Sequence, residues 1–292
     1  MKRRYGIGGE TVVIEGRGAA MEGMGGFPLF RLADDEAGIP LLHLQTECPL
    51  SDPQDDPAAR PIHTFAFEGI DCSFFSREEG YDFRMQRGGE PPVVLRTRNG
   101  EPIQRSNIGL DREPDPVMLR FLVWMAYGVA LAPLGGTAIH AAAIVWEGGA
   151  VLFLGESGTG KSTHARLWRE TIPGAWSLND DSPVLRIEAG EPVVYGSPWS
   201  GKTPRYRRER VPLAAVVRLR QAPENRIRRL GKLEALGALL PSCPPSFAAD
   251  ERLTDHLCRL LSGVIGSVPV FSLECRPDEA AAKLACETIF GR

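Results

Sequence analysis

Short apolar or alternating runs broken by Gly, Pro and Asp fill the first third of the chain, and longer runs with helical spacing begin only after Asp115. The segments 11–14, 41–44, 64–67, 72–75 and 93–95 have strand length and turn residues at their ends, which predicts a small β-rich domain over residues 1–112. Between them, 49–61 is polar and proline-broken, a surface loop. Asp115-Pro116 then opens a helical pattern over 117–131, and a second domain, 113–292, is expected to start there. Its strands are expected at 138–146, 150–154, 176–178, 184–187, 211–218 and 268–273, and its helices after residue 160 and at 232–240, 248–261 and 278–290. Strands and helices mixed in this way predict an α/β layer architecture.

The most specific chemistry lies between the unbroken apolar run 150–154 and the helix that follows it. Gly155, Glu156, Ser157, Gly158, Thr159, Gly160, Lys161 and Ser162 fit the phosphate-loop pattern Gly-x-x-x-x-Gly-Lys-Ser/Thr, in the strand-to-helix context that gives the pattern mechanical meaning. Such a loop meets phosphate with glycine backbone and with the unpaired amides and positive dipole end of a helix. Lys161 is expected near the β and γ phosphates, and the Ser162 hydroxyl on Mg²⁺. A nucleoside triphosphate, taken as ATP, and Mg²⁺ are the expected cofactors, although the motif does not itself distinguish ATP from GTP.

Downstream of Lys161 and its helix, a strand ends in Asn179-Asp180-Asp181. Alternation puts Asp180 on the face of Trp176 and Leu178 and aims Asp181 the other way. Phosphoryl transfer to a hydroxyl needs one acidic group at the metal and one base at the acceptor, and two carboxylates at a strand end beside the loop supply both. Further on, five of the nine residues 202–210 are Lys or Arg, with Lys202 and Arg205 the candidates for binding phosphate or an anionic acceptor. His140 is expected on a buried strand before the loop strand, as a core residue or a neighbour of phosphate. His164 follows the loop, and no His/Cys/Asp set has zinc spacing.

Composition narrows the partners. The chain has 292 residues, 43% hydrophobic and 24% charged, with a formal charge of −3 that argues against a general nucleic-acid or membrane-surface binder. Six cysteines without a C-x-x-C pair, and an N-terminus running into glycines, lead to the expectation of a cytoplasmic protein. The apolar stretch 121–134 is 14 residues long and follows Arg120, so it reads as a buried helix and no transmembrane segment is expected.

Taken in order, Ala138-Ile139-His140, the run from Val151 through Ser162, and Asn179-Asp180-Asp181 resemble the C-terminal catalytic domain of HPr kinase/phosphorylase, a fold shared with phosphoenolpyruvate carboxykinase. The resemblance spans about residues 136–200. It implies a P-loop kinase core of that type behind the smaller β-rich domain, with Gly155 through Ser162 and Thr163 holding triphosphate and Mg²⁺. It further implies Asp180 as general base toward an acceptor hydroxyl, Asp181 as a metal-side carboxylate and His140 as a neighbour of the transferred phosphate. The family's Glu-Ile-Arg-Gly-x-Gly signature is missing after the carboxylate pair, where Gly196 to Lys202 stands instead, and the N-terminal part differs from the usual one. The expected activity is transfer of the γ-phosphoryl group to a hydroxyl on a protein, a peptide or a small molecule. A nucleotide-binding regulator with little transfer and a carboxykinase-like enzyme are the alternatives. Related enzymes assemble as oligomers, so a homo-oligomer is a further expectation.

Overall fold

The computed structural model describes residues 1–33, 36, 38–111, 114–201 and 204–291. The chain divides into two compact units, residues 1–134 with 246–254, and residues 135–245 with 255–292.

Eight strands make the sheet of the first unit: β1 (Lys2–Ile7), β2 (Glu10–Glu15), β3 (Pro40–Gln45), β4 (His63–Phe67), β5 (Ile70–Arg77), β6 (Gly80–Gln86), β7 (Val93–Arg98) and β8 (Ile103–Ser106). Their order is β1-β2-β3-β8-β7-β6-β5-β4, antiparallel except where β3 runs parallel to β2 and β8. The apolar alternation marked β2, β3, β4, β5 and β7 in the sequence. β1 and β6 escaped it because they carry charge inward: Arg3 is buried in β1, and in β6 Asp82 is 1% exposed between Arg77 and Arg96. A buried carboxylate is tolerated there because guanidiniums from neighbouring strands satisfy it.

Helix α1 (Pro116–Leu131) packs on β3 and β7. Asp115 caps it, its carboxylate accepting from the amides of Val117 and Met118, and Pro116 occupies the first turn where no amide partner is needed. With the turn after it, α1 is apolar and long enough to cross a membrane by length and composition, and 56% of that stretch is buried. Gln104 donates to the Ala126 carbonyl and the Tyr127 hydroxyl to that of Ile7, so the helix belongs with this sheet. The domain boundary expected at residue 112 therefore lies after Leu134, because α1 buries its apolar faces here.

The second unit follows as β9 (Gly136–Ala138), β10 (Ala142–Trp146), β11 (Gly149–Leu154), α2 (Lys161–Thr171), β12 (Trp176–Asn179), β13 (Val184–Glu188), β14 (Glu191–Tyr195), β15 (Arg210–Gln221), β16 (Arg226–Arg229), α3 (Lys232–Leu239), α4 (Glu251–Ser267), β17 (Val270–Cys275) and α5 (Glu279–Phe290). The first residues of α4 group with the other unit. The sheet runs β12-β10-β11-β15 and then forks, to β17 and β16 on one branch and to β14, β13 and β9 on the other. β12 and β11 are both antiparallel to β10, and β11, β15 and β17 are mutually parallel. The C-terminal ends of β12, β11, β15 and β17 consequently share one edge, the side of an α/β sheet where ligands are usually held.

Phe153, Trp168, Leu219, Leu273 and Ala285 meet in a core that carries α2 and α5. The strand expected over 138–146 is broken: Ile139, His140 and Ala141 donate to the carbonyls of Pro183, Ser242 and Asp181 in turn, which takes the chain from one branch of the sheet to the other. β14 and β16 were not expected. The first is five residues behind a tight turn at Ala189 and Gly190, and the second is a four-residue, arginine-rich edge.

Candidate functional site

β11 is buried along nearly its whole length, so the segment after it starts from a fixed point. The turn into α2 uses backbone conformations that only glycine adopts freely: φ is +82° at Gly158 and +99° at Gly160, the residue capping the helix. Within the turn the Thr159 hydroxyl donates to the Glu156 carbonyl, and Lys161 Nζ reaches back to the carbonyls of Gly155 at 2.8 Å and Glu156 at 3.1 Å. From β15, Gln221 Nε2 donates to the Gly158 carbonyl at 3.2 Å and ties the tip to the sheet. Glu156, Ser157, Gly158 and Ser162 are exposed, while Thr159, Lys161 and Thr163 are partly covered. The loop therefore offers solvent the amino end of α2, with its positive dipole and unpaired first-turn amides.

The second cluster sits at the end of β12. Asn179 is 1% exposed and works with both ends of its amide. Its Oδ1 accepts from the amides of Asp181 at 3.0 Å and Ser182 at 2.9 Å, and its Nδ2 donates to the carbonyls of Ser197 at 3.2 Å and Trp199 at 3.0 Å. The Ser197 hydroxyl donates to the Ser182 carbonyl at 2.7 Å, which joins the two turns from the other side. These bonds bend the chain immediately after Asn179, so strand alternation does not decide where the two carboxylates point.

The Ser162 hydroxyl of the loop is close enough to Asp180 to favour its ionised carboxylate. Asp181 Oδ1 lies 3.3 Å from His140 Nδ1. Burial pushes the Asp180 carboxyl up, the Ser162 hydroxyl opposes that, the neighbouring Asp181 adds to it, and Arg205 and Arg169 pull it down. Burial lowers Lys161, with Asp181 and then Asp180 acting against it. Lysine, loop hydroxyl and both carboxylates thus share one electrostatic neighbourhood.

His140 is placed differently from the sequence expectation. It lies in the bend between β9 and β10 with its side chain 48% exposed, because the strand breaks there. His164 belongs to the core instead: it is 3% exposed, takes a hydrogen bond from Trp168 Nε1 and packs edge-on against Phe153, and burial pushes its pKa down to about 4. Lys202 lies outside the described residues. Arg205 has its amide held by Ser200 Oγ at 3.1 Å, and Arg207 stacks on Trp176 with 4.6 Å between the guanidinium carbon and the ring centroid. Sequence reasoning named Asn179 with the aspartates but gave it no site role of its own, and passed over Arg169. An Asn directly before paired aspartates signals a side-chain-capped turn, whereas nothing local marks Arg169.

On the other side of the loop, a cavity of about 520 Å³ is lined by Glu156 and Thr159, by Arg218 through Gln221 at the end of β15, and by Arg228, Leu230, Glu234, Ala238 and Ser272. Arg228 and Glu234 form a two-point ion pair at 2.8 and 3.1 Å, and Arg218 donates to the Gly237 carbonyl. The volume suits a small-molecule site. In strand order the carboxylates, the loop and this cavity lie side by side along one sheet edge. Among the described residues no group of three or more His, Cys, Asp or Glu side chains is arranged to hold a metal. A divalent cation here would be bound by one hydroxyl, one or two carboxylates and the ligand's own oxygens, the manner in which Mg²⁺ binds beside phosphates.

No protein-family model matches the chain, and no curated protein matches it. Among solved structures it is similar to the Hpr(Ser) kinase/phosphatase from Coxiella burnetii, at 14% identity and a TM-score of 0.30, over 52% of this chain and 92% of that one.

Proposed function

We propose that the chain is an ATP- and Mg²⁺-dependent kinase that moves the γ-phosphoryl group to a hydroxyl of a protein, a peptide or a small molecule. The observation that supports the reading is that a loop of phosphate-binding pattern caps α2 on the same sheet edge where β12 ends in the aspartate pair, with Ser162 and Asp180 close enough for the hydroxyl to act on the carboxylate. The triphosphate would follow the order of the sheet edge, the nucleoside toward the 520 Å³ cavity and the γ-phosphoryl group toward the carboxylates. Glycines 155, 158 and 160, with Glu156, Ser157, Thr159 and Thr163, form the cradle, and Lys161 leaves its two carbonyls to meet phosphate oxygens. Ser162 and Asp181 would hold Mg²⁺, which supplies charge neutralisation when bound.

Asp180 acts as the base. As the acceptor oxygen bonds to phosphorus and the bond from phosphorus to the bridging oxygen of ADP breaks, the hydroxyl proton passes to this carboxylate. Burial, which raises its pKa, favours that role. His140 orients Asp181, and the 197–201 turn packs against the backbone of the pair.

The test uses γ-labelled ATP, Mg²⁺ and fractionated cell extract with the wild type and Asp180→Asn. Label should move to an acceptor in the wild type, and transfer should fall by about 10²- to 10⁴-fold in the variant, with nucleotide affinity kept within about two-fold. Nucleotide binding without acceptor labelling, unchanged by the substitution, would mark the chain as a nucleotide-binding regulator. Failure of the wild type to bind nucleotide at all would remove both readings.

A further inference from the structure

Arg218, Ser272 and Arg228 stand in one row across three strands, since Ser272 of β17 is in register with Arg218 of β15 and with Arg228 of β16. The next row, Leu219, Leu273 and Ile227, packs into the core that carries α2 and α5. The polar row therefore faces the other way, into the 520 Å³ cavity that all three of its residues line. There α3 tethers both arginines. Arg218 donates to the Gly237 carbonyl at 2.9 Å, and Arg228 grips Glu234 at two points, while Glu234 also accepts from the Gly231 amide at 3.0 Å.

Ser272 lies between them, 8% exposed, and its hydroxyl makes no hydrogen bond among the described residues. Buried hydroxyls are as a rule satisfied, and the space this one meets is the cavity. The same cavity borders the phosphate loop, because Glu156 and Thr159 line it. A phosphate chain on the loop would thus lead its other end here.

The dimensions suit a flat ring. Neighbouring strands lie about 4.8 Å apart, so the backbones of Arg218 and Arg228 are roughly 10 Å apart. A planar ring in contact on both faces needs its neighbours about 7–8 Å apart, which the two side chains reach by each leaning inward about an ångström. None of the described residues lining the cavity is aromatic. The guanidiniums, planar and able to stack, are the faces a base would meet, and Leu230 and Ala238 supply an apolar wall.

We propose that Arg218 and Arg228 clamp the base of the nucleotide between their guanidinium planes, with the Ser272 hydroxyl bonded to its edge. The proposal rests on the nucleotide-binding reading of the loop and deepens it by assigning the residues that hold the base. The clamp distinguishes a nucleoside triphosphate from a bare polyphosphate, which the loop alone does not.

Calorimetric titrations in Mg²⁺ with a non-hydrolysable ATP analogue and with inorganic tripolyphosphate separate the base from the phosphates. The wild type should bind the analogue about ten-fold more tightly or better. Arg218→Lys and Arg228→Lys keep the charge and lose the plane. Each should weaken the analogue about five-fold or more while tripolyphosphate stays within about two-fold. Ser272→Ala should weaken the analogue about two- to ten-fold and leave tripolyphosphate unchanged. Equal affinity of the wild type for the two ligands, or analogue binding that both Lys variants keep, overturns the clamp and leaves the loop as a phosphate site. If neither ligand binds the wild type, the nucleotide reading falls and the clamp with it. Should the Lys variants lose their cooperative unfolding transition, Ser272→Ala decides alone, since it removes only an unpartnered hydroxyl.

Discussion

Replacing Asn179 with alanine tests whether the carboxylate turn is held by one buried amide. The substitution removes two acceptor bonds, to the amides of buried Ser182 and part-buried Asp181, and the donor to the carbonyls of Ser197 and Trp199. An orphaned buried amide costs about 1–3 kcal/mol and a part-buried one less. On the donor side the Trp199 carbonyl keeps the Ser197 hydroxyl as a partner at 3.1 Å, and that hydroxyl also bridges the turns to the Ser182 carbonyl, so the loss there is small. The sum is about 2–4 kcal/mol, a large share of the roughly 5–15 kcal/mol that stabilises an ordinary domain. Urea unfolding followed by far-ultraviolet circular dichroism should show the second unit's transition moved to lower denaturant by that amount. Hydrogen exchange should show the 181 and 182 amides losing protection first. A change below about 1 kcal/mol, with both amides as slow as in the wild type, would refute the assignment. Asn179→Asp is the informative companion, since it keeps the acceptor and sets a carboxylate against two carbonyls.

The buried His164 makes a pH prediction. Its folded pKa, about 4, lies below the ordinary 6.5, so the unfolded chain takes up a proton that the folded one refuses. Its contribution is present above pH 6.5 and declines as pH falls from there toward 4, by about 3 kcal/mol in all. His164→Gln should flatten the urea midpoint over that window relative to the wild type; parallel curves would count against it. At Gly160, φ is +99° and a Cβ would meet nothing within 4 Å. Gly160→Ala should therefore cost only the backbone penalty, about 1–2 kcal/mol, measurable by thermal unfolding, and a loss beyond about 3 kcal/mol would count against that open space.

Local signals were legible in the chain and non-local ones were not. The 155–162 turn could be read because its glycines, lysine and serine are consecutive and bracketed by an apolar strand and a helix. The aspartate pair stood out for the same reason. The break at 139–141 was hidden, since the carbonyls that divert the chain come from Pro183, Ser242 and Asp181. An alanine-rich run around His140 gives no hint of them. The place of α1 was misjudged because Asp115-Pro116 marks a helix start without saying which sheet the helix will cover. Arg169 looks in sequence like any polar residue near a helix end, and only the fold makes its charge felt at Asp180.

β15 joins events that are far apart along the chain. Its twelve residues, roughly 40 Å when extended, pair with β14 at the start and with β17 at the finish, while Gln221 at its tip restrains Gly158. A one-residue insertion anywhere in this strand would invert the facing of every later side chain and withdraw the glutamine from the glycine turn. Tolerance to indels should accordingly be lower here than in either flanking hairpin, and a scanning-insertion library would expose the strand as a single intolerant block.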